Sequence, residues 1–494
     1  MKKFKWLFVD FFVLSVIFVL SILIVVLGRW TWKWATIFFI ATYIFNFVFI
    51  TFSLVNDDHS TEKMSWIFFM ICFPYVGLVF YMLFRIRRDV GVNWEKFEQE
   101  FQEFKIENYK NKNIKEFVGS WQEKLIRKNF HNTELKIFKH GYDAYEHLLN
   151  DIKNAKKYIH IEMYIIKESE IYEKLKKLLF EKVKEGVEVK IIFDKFGSWK
   201  VPIDEFKYLK FMGIDLCFYN VPIYPYVRHT DNKRLHQKFF IIDGEVIHFG
   251  GLNITDEYWS FSKKYGYWAD SNFSAKGKIV NEYQSYFLFD WYKITNQKLN
   301  KNNYLYQEKS KVKANCKILT FNETPLRKDK ILEQSLVFWI NNSTTEIKLV
   351  TPYFIPTFNI YTALKNALKR GVKIEMYIPG KPDKKFTYKA SIFYSNSLSR
   401  YGMKVYALNN TFLHAKFATF DNNYAYIGTN NLDMRSFYSN QEGINLLYGD
   451  AVINQLNNIT DFYKELSIER KYKKYNKIRK IYSKFIFKLF SPLM

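Results

Sequence analysis

Apolar residues are spread unevenly along this chain. Three long runs open it, Val9–Gly28, Trp34–Val55 and Met64–Phe84, each close to the roughly 20 residues a helix needs to cross a bilayer core. Trp6, Trp30, Trp32 and Trp66 sit near their ends, where interfacial side chains belong. The first run is too long for a signal peptide, and no small-residue cleavage site follows it. The pattern predicts a membrane anchor over residues 1–88, with two to three transmembrane helices. Arg85, Arg87 and Arg88 follow the third run, so the positive-inside bias puts the rest of the chain in the cytoplasm. Lys2, Lys3 and Lys5 pull the other way if all three runs cross, and the first contains Asp10. The expected location is the cell membrane, multi-pass, with the larger part of the chain cytoplasmic.

Residues 89–135 are polar and helix-prone around Trp94–Phe104, and read as a juxtamembrane linker. The periods then change, and the chain repeats itself. A β-type run at Tyr158–Ile166, a helical stretch at Ile171–Leu179 and two strands led by Gly186 and Gly213 form one series. Ile347–Ile355, Thr362–Arg370 and strands led by Gly371 and Gly402 form the other. Strands alternating with helices predict an α/β fold. Two similar halves are expected, 136–310 and 311–460, and a doubled unit suits one site shared between them. Beyond residue 461, Ile478, Ile481, Tyr482, Phe485, Ile486, Leu489 and Phe490 recur at helical spacing with lysines between them. That segment, 461–494, reads as a basic amphipathic helix, suited either to an anionic interface or to packing on its own domain.

Composition narrows the partners. A net charge of +25 with 20% aromatic residues suits an anionic partner, nucleic acid or an anionic lipid surface. The apolar runs favour lipid over nucleic acid. Cys72, Cys217 and Cys316 are far apart, which excludes a disulfide framework and a thiolate metal site. There is no Gly-x-x-x-x-Gly-Lys-Ser/Thr loop to hold a nucleotide.

The chemistry-bearing residues close each half. The first ends Leu235-His-Gln-Lys-Phe-Phe-Ile-Ile-Asp243, then Gly250-Gly-Leu-Asn253. The second ends Leu413-His-Ala-Lys-Phe-Ala-Thr-Phe-Asp421, then Gly428-Thr-Asn-Asn431. The same interval separates His236 from Asn253 and His414 from Asn431. In an extended chain His236 and Lys238 share a face, as do His414 and Lys416. A histidine can attack phosphorus or carry a proton near neutral pH, and a neighbouring ammonium can hold phosphate oxygens. The glycines permit close backbone approach, and the asparagines offer amide donors. Asp243 and Asp421 complete the motif, although their position suits bracing a turn better than touching a substrate. His59, His131, His140, His147, His160, His229 and His248 have no counterpart in the other half and read as surface or packing residues.

The paired His-x-Lys-x-x-x-x-Asp motifs with trailing Gly-x-x-Asn resemble the phospholipase D superfamily, and within it the bacterial cardiolipin synthases. Tyr267-Trp-Ala-Asp270, Phe289-Asp-Trp291, Thr351-Pro-Tyr-Phe-Ile-Pro356, Gly428–Ser436, Pro74–Leu78 and the terminal Ser491-Pro-Leu-Met494 extend the likeness over nearly the whole chain. Ala269 stands where that family usually has Arg, and Asn440-Gln-Glu442 replaces Asn-Phe-Glu. The resemblance implies two phospholipase D-like α/β halves sharing one active site. It implies a catalytic set of His236, Lys238, Asp243, His414, Lys416 and Asp421, with His236 as nucleophile and His414 as acid and base. Asn253 and Asn431 would bind the substrate phosphate, and Asp270 and Glu442 would orient the imidazoles. It further implies phosphatidyl transfer between two phosphatidylglycerols through a phosphohistidine, in a membrane-embedded protein, with no cofactor, metal or nucleic acid. A phospholipase D-type lipid hydrolase or another phosphatidyltransferase is the alternative within the same family. A nuclease and an inactive scaffold are the other readings, the last disfavoured because both motifs are complete.

Overall fold

A computed structural model describes residues 32–55, 60–81, 94–106, 130–221, 233–260, 267–306, 312–327 and 330–491. They fall into two units, one built on residues 32–81 with Ile481–Ser491, the other on residues 94–480.

The smaller unit corrects the expected transmembrane anchor. Among the described residues, no helix is long and apolar enough to cross a membrane. The first apolar run lies outside the described residues. The third is broken at Phe73, because Pro74 lacks the N–H that a continuing helix needs, leaving helices Ser60–Cys72 of 13 residues and Pro74–Phe80 of 7. The second forms the helix Trp32–Val55, but Thr42 and Asn46 are buried polar interruptions. Asn46 Nδ2 donates to the carbonyl oxygens of Met70 and Pro74, at 3.4 and 3.0 Å. The transmembrane helices, the membrane-embedded chain and the multi-pass location inferred from these runs are therefore withdrawn. The predicted C-terminal helix spans Lys477–Phe490 and buries none of its residues. Within the smaller unit Phe485 meets the Phe68 ring edge-on at 4.9 Å.

The larger unit is a duplicated α/β structure. Its first half contains β1 (His131–Phe138), β2 (Tyr158–Met163), β3 (Glu188–Asp194), β4 (Asp215–Tyr219), β5 (Arg234–Leu235), β6 (Phe239–Ile242), β7 (Val246–Gly250), β8 (Trp268–Ala269) and β9 (Asn272–Lys276). The second contains β10 (Cys316–Glu323), β11 (Glu346–Val350), β12 (Phe354–Ile355), β13 (Lys373–Pro379), β14 (Lys404–Leu408), β15 (Phe412–Leu413), β16 (Phe417–Phe420), β17 (Tyr424–Gly428), β18 (Leu432–Asp433), β19 (Asn440–Tyr448) and β20 (Ser467–Glu469). The main sheet runs β20-β14-β13-β11-β16-β17-β19-β10-β1-β9-β7-β6-β2-β3-β4. Its middle is the antiparallel β1–β10 pair, in register His131 to Ile318. On either side of it the strand order repeats in mirror sequence, with β2, β3 and β4 parallel in one half and β11, β13 and β14 parallel in the other.

Strand alternation builds the layers. Phe239 and Ile241 turn to one face and pack with Tyr283, Phe287 and Leu288 of the helix Ile279–Thr295. Phe240 and Ile242 turn to the other and meet Leu148, Leu175 and Leu179 of the helices Gly141–Lys153 and Glu170–Lys184. Phe417 and Ala418 divide in the same way in the second half. Strands buried on both faces read as continuous apolar runs, as β6 and β16 do. The four repeat glycines Gly186, Gly213, Gly371 and Gly402 all have positive φ, from 87° to 105°, where a helix ends and turns into the next strand.

Two expected boundaries shift. β1 begins at His131, inside the expected linker. Trp94–Phe104 is more than a linker: Phe101 stacks on Tyr286 at 5.3 Å and Phe97 meets Phe289 at 4.8 Å. The aromatic spacing visible in Trp94–Phe104 thus serves the buried helix Ile279–Thr295.

Candidate active site

The two motif histidines are delivered by an exchange between the halves. β5, immediately before His236, pairs in parallel with β19 of the second half, Arg234 to Asn440 and Leu235 to Gln441. β15, immediately before His414, pairs in parallel with β8 of the first half. His236 N–H then donates to the Gln441 carbonyl at 2.9 Å, and His414 N–H to the Ala269 carbonyl at 2.7 Å. The carboxylates come from the same places: Glu442 lies on β19 and Asp270 directly follows β8. His236 Nδ1 lies 2.8 Å from Glu442 Oε2 and His414 Nδ1 lies 2.7 Å from Asp270 Oδ2. Both imidazoles are thus paired across the halves. With Nδ1–H donated to a carboxylate, each ring keeps its lone pair at Nε2.

The remaining positions follow from this frame. Lys238 Nζ donates to the His236 carbonyl at 2.6 Å and lies over the Tyr164 ring. Lys416 Nζ donates to the His414 carbonyl. It also lies 2.9 Å from His414 Nδ1, but that nitrogen's proton is committed to Asp270, so the carbonyl is its acceptor. Asn253 Oδ1 accepts the Ile165 N–H at 3.0 Å. Asn431 N–H donates to Ser436 Oγ, while its Oδ1 is shielded from solvent without a hydrogen bond.

Asp243 and Asp421 are placed elsewhere. Each sits at positive φ beyond the far end of its strand. Asp243 accepts the N–H groups of Lys156, Lys157 and Tyr158. Asp421 accepts those of Thr344, Thr345 and Glu346. They brace the entry into β2 and β11 and are not brought to the histidines. The glycines also serve a different end from substrate approach. A Cβ on Gly251 would lie 2.2 Å from Asp270 Oδ1, so this position makes room for the carboxylate that holds His414.

Burial dominates the electrostatics. It pushes His236 down to about 4, with Glu442 opposing and Lys238 adding to the shift. It pushes His414 down to about 3, helped by Lys416 and opposed by Asp270. Lys238 falls to about 7 and Lys416 to about 8, again through burial, with the carboxylates opposing. Burial raises Asp270 and Glu442, yet the facing histidines, which hydrogen-bond to them, and the lysine charges hold both below the ordinary carboxylate range. Both imidazoles are therefore neutral and nucleophilic at pH 7, beside ammonium groups that an incoming anion would stabilise.

Several further neighbours, not singled out from the sequence as site residues, surround the histidines. Tyr164 meets the His236 ring at 4.9 Å, and Tyr258 and Trp268 meet His414 at 5.0 and 5.6 Å. Asp194, buried at the end of β3, accepts the Leu235 N–H at 3.0 Å. Thr429 donates to Glu442 at 2.5 Å. An aspartate ending an apolar strand was the available clue to Asp194, and Trp268 stands in the Tyr267-Trp-Ala-Asp270 match; Tyr164 and Tyr258 lie in segments without such a signal.

Comparison with known proteins matches this geometry to a family. The family model described as "Cardiolipin synthase, PLD-like domain" matches residues 148–291 and 336–462, one stretch in each half. The chain belongs to the phospholipase D superfamily, among the cardiolipin synthase-like proteins. A second model, "Phospholipase_D-nuclease N-terminal", matches residues 43–85 of this phospholipase D-like chain. It is similar to a cardiolipin synthase of Alkalihalophilus pseudofirmus, 31% identical over 89% of each chain. It is also similar to one of Oceanobacillus iheyensis, 35% identical over 74% of this chain and 76% of that one. The fold resembles a phosphatidylserine synthase structure from Haemophilus influenzae Rd KW20, with a TM-score of 0.57 and 15% identity, covering 76% of this chain and 99% of that one. The phospholipase D-like chain is an enzyme of the phosphatidyltransferase class.

Two outcomes follow from the packing and the charges. Gly251→Ala should lower turnover about a hundredfold by displacing Asp270. Gly443→Ala, whose Cβ first meets Gln237 Oε1 at 3.4 Å, should cost far less; steady-state rates of the two variants check the contrast. In the unfolded chain both histidines return to about 6.5, so below that pH the unfolded state binds more protons. The histidines' contribution to stability is therefore full above pH 6.5 and is lost as pH drops toward 4 and 3. Urea unfolding between pH 7 and 4 should show a shallower loss for His414→Gln than for the parent.

Proposed function

We propose that this chain makes cardiolipin and glycerol from two molecules of phosphatidylglycerol, through a phosphohistidine intermediate. The observation that supports it most is the crossed pair of buried histidines, each with Nδ1 on a carboxylate and a lysine beside it. The donor phosphate seats against Lys238 and Lys416, restoring their charge and raising the pKa of the nearby imidazoles. His414 takes up a proton from solvent at Nε2 as the phosphate anion binds; His236 Nε2 attacks phosphorus as the bond to the glycerol oxygen breaks, and His414 gives that Nε2 proton to the leaving oxygen. The acceptor hydroxyl then gives its proton to His414 while its oxygen attacks phosphorus, breaking the phosphorus–nitrogen bond. Glu442 and Asp270 hold the two rings and stabilise their charged forms, and Asn253 and Asn431 line the phosphate seat. One phosphodiester replaces another, so no nucleotide or metal enters the step. The aromatic rings of Tyr164, Tyr258 and Trp268 around the histidines favour a lipid alcohol over water.

His236→Ala and His414→Ala should each reduce transfer by about a thousandfold or more while the chain stays folded; retained half-activity in either would mean two independent sites. A substrate with a p-nitrophenolate leaving group needs no acid, so His414→Ala should still release a burst of p-nitrophenol and His236→Ala should not. The reverse pattern would exchange the two roles. Supplied with phosphatidylglycerol alone, the purified protein should give cardiolipin and glycerol in equal amounts. Phosphatidic acid as the main product would make it a hydrolase.

A further inference from the structure

Of the histidines outside the two motifs, two converge on one carboxylate. His147 and Asp151 stand one turn apart on the helix Gly141–Lys153, so their side chains share a face. His248 projects toward them from β7. His248 Nε2 lies 2.7 Å from Asp151 Oδ2, and His147 Nδ1 lies 3.2 Å from the same oxygen. One ligand atom from each of the three lies within 4.8 Å of the others. The two imidazoles are 5.4 Å apart, centre to centre.

One of these nitrogens is left in an unfavourable position. His147 Nδ1 is shielded from solvent and makes no hydrogen bond, although a carboxylate oxygen is 3.2 Å away. In the tautomer with its proton on Nε2, His147 presents a lone pair to that oxygen, and a cation between the two would bind both. Two imidazoles and a carboxylate form the donor set of a zinc-class ion. Bond lengths of about 2.0–2.1 Å place tetrahedral ligands about 3.3 Å apart; the His147–Asp151 spacing of 3.2 Å matches this, and the His248–Asp151 spacing of 2.7 Å would open slightly around an ion. His147 and Asp151 keep partial exposure, 27% and 20%, leaving a side for water as the fourth ligand.

We propose that His147 Nδ1, the Asp151 carboxylate and His248 Nε2 bind one divalent transition-metal ion of the zinc class, fastening the helix Gly141–Lys153 to β7. Lys136 and Lys276 lie close enough to be felt by His147 and weaken the attraction for a cation, which favours an ion held by directed bonds to nitrogen over a hard cation held by charge. The site uses none of the residues assigned to phosphatidyl transfer and stands whether or not that assignment does.

The test is titration of the full chain, stripped by a chelator, with Zn²⁺ in a calorimeter and with Co²⁺ in an absorption spectrometer. A single equivalent should bind, with cobalt bands of tetrahedral intensity, and zinc should raise the unfolding midpoint. Asp151→Asn and His248→Gln should each weaken binding by at least about tenfold. His147→Gln, at the more exposed position, gives the same reading should His248→Gln fail to fold. A His236→Asn/His414→Asn double variant should bind as the parent does. Absence of binding to the parent, unchanged binding in Asp151→Asn, or loss of binding in the double variant would overturn the proposal.

Discussion

Each motif imidazole is held by a carboxylate from the opposite half, and the rest of the site is arranged around that exchange. A histidine buried this deeply is costly to hold in one tautomer unless its Nδ1–H has a fixed acceptor. Glu442 and Asp270 supply one each, 2.8 and 2.7 Å away. The two-residue strands β5 and β15 make the reach possible by pairing with β19 and β8 across the middle of the sheet. Backbone and side chain thus cross together. Removing either carboxylate would leave a buried ring unpaired and also loosen the seam where the halves meet.

The same burial sets the chemistry. Exposed, the lysines would be permanently charged and the histidines half-protonated near pH 6.5. Inside, each group's charge depends on its neighbours, so the free site rests with neutral imidazoles and lysines lowered to about 7 and 8. On the proposed function, an arriving phosphate would bring negative charge to these lysines and imidazoles, so that binding and protonation would be coupled. A pair of exposed His-x-Lys strands would have the same residues and much less of this coupling, because water would screen every term.

Much of the fold was legible in the chain. The doubled order of strand, helix and Gly-led strand is a local property: apolar period and the demand for positive φ at Gly186, Gly213, Gly371 and Gly402 are written residue by residue. The apolar N-terminal runs misled, because run length alone ignores what interrupts it. Pro74 splits one helix and Asn46 turns inward to the backbone near it, and neither effect registers in a count of apolar residues. Trp94–Phe104 was read as a surface segment because its aromatic face needs the helix Ile279–Thr295, nearly 200 residues away, to be recognised as packing.

The sequence by itself determined the duplication, the residue types at His236, Lys238, His414 and Lys416, and their shared spacing, since these depend only on positions a few residues apart. It also marked Asp243 and Asp421 as turn residues, for the same local reason. Tertiary structure alone decided which carboxylate meets which histidine, why Gly251 has no side chain, and which aromatic rings close around the imidazoles. It alone brought His248 to His147 and Asp151. Gly251 and Asp270 are 19 positions apart and the other pairs about 70 to 206, and only the pairing of strands between and within the halves sets those distances.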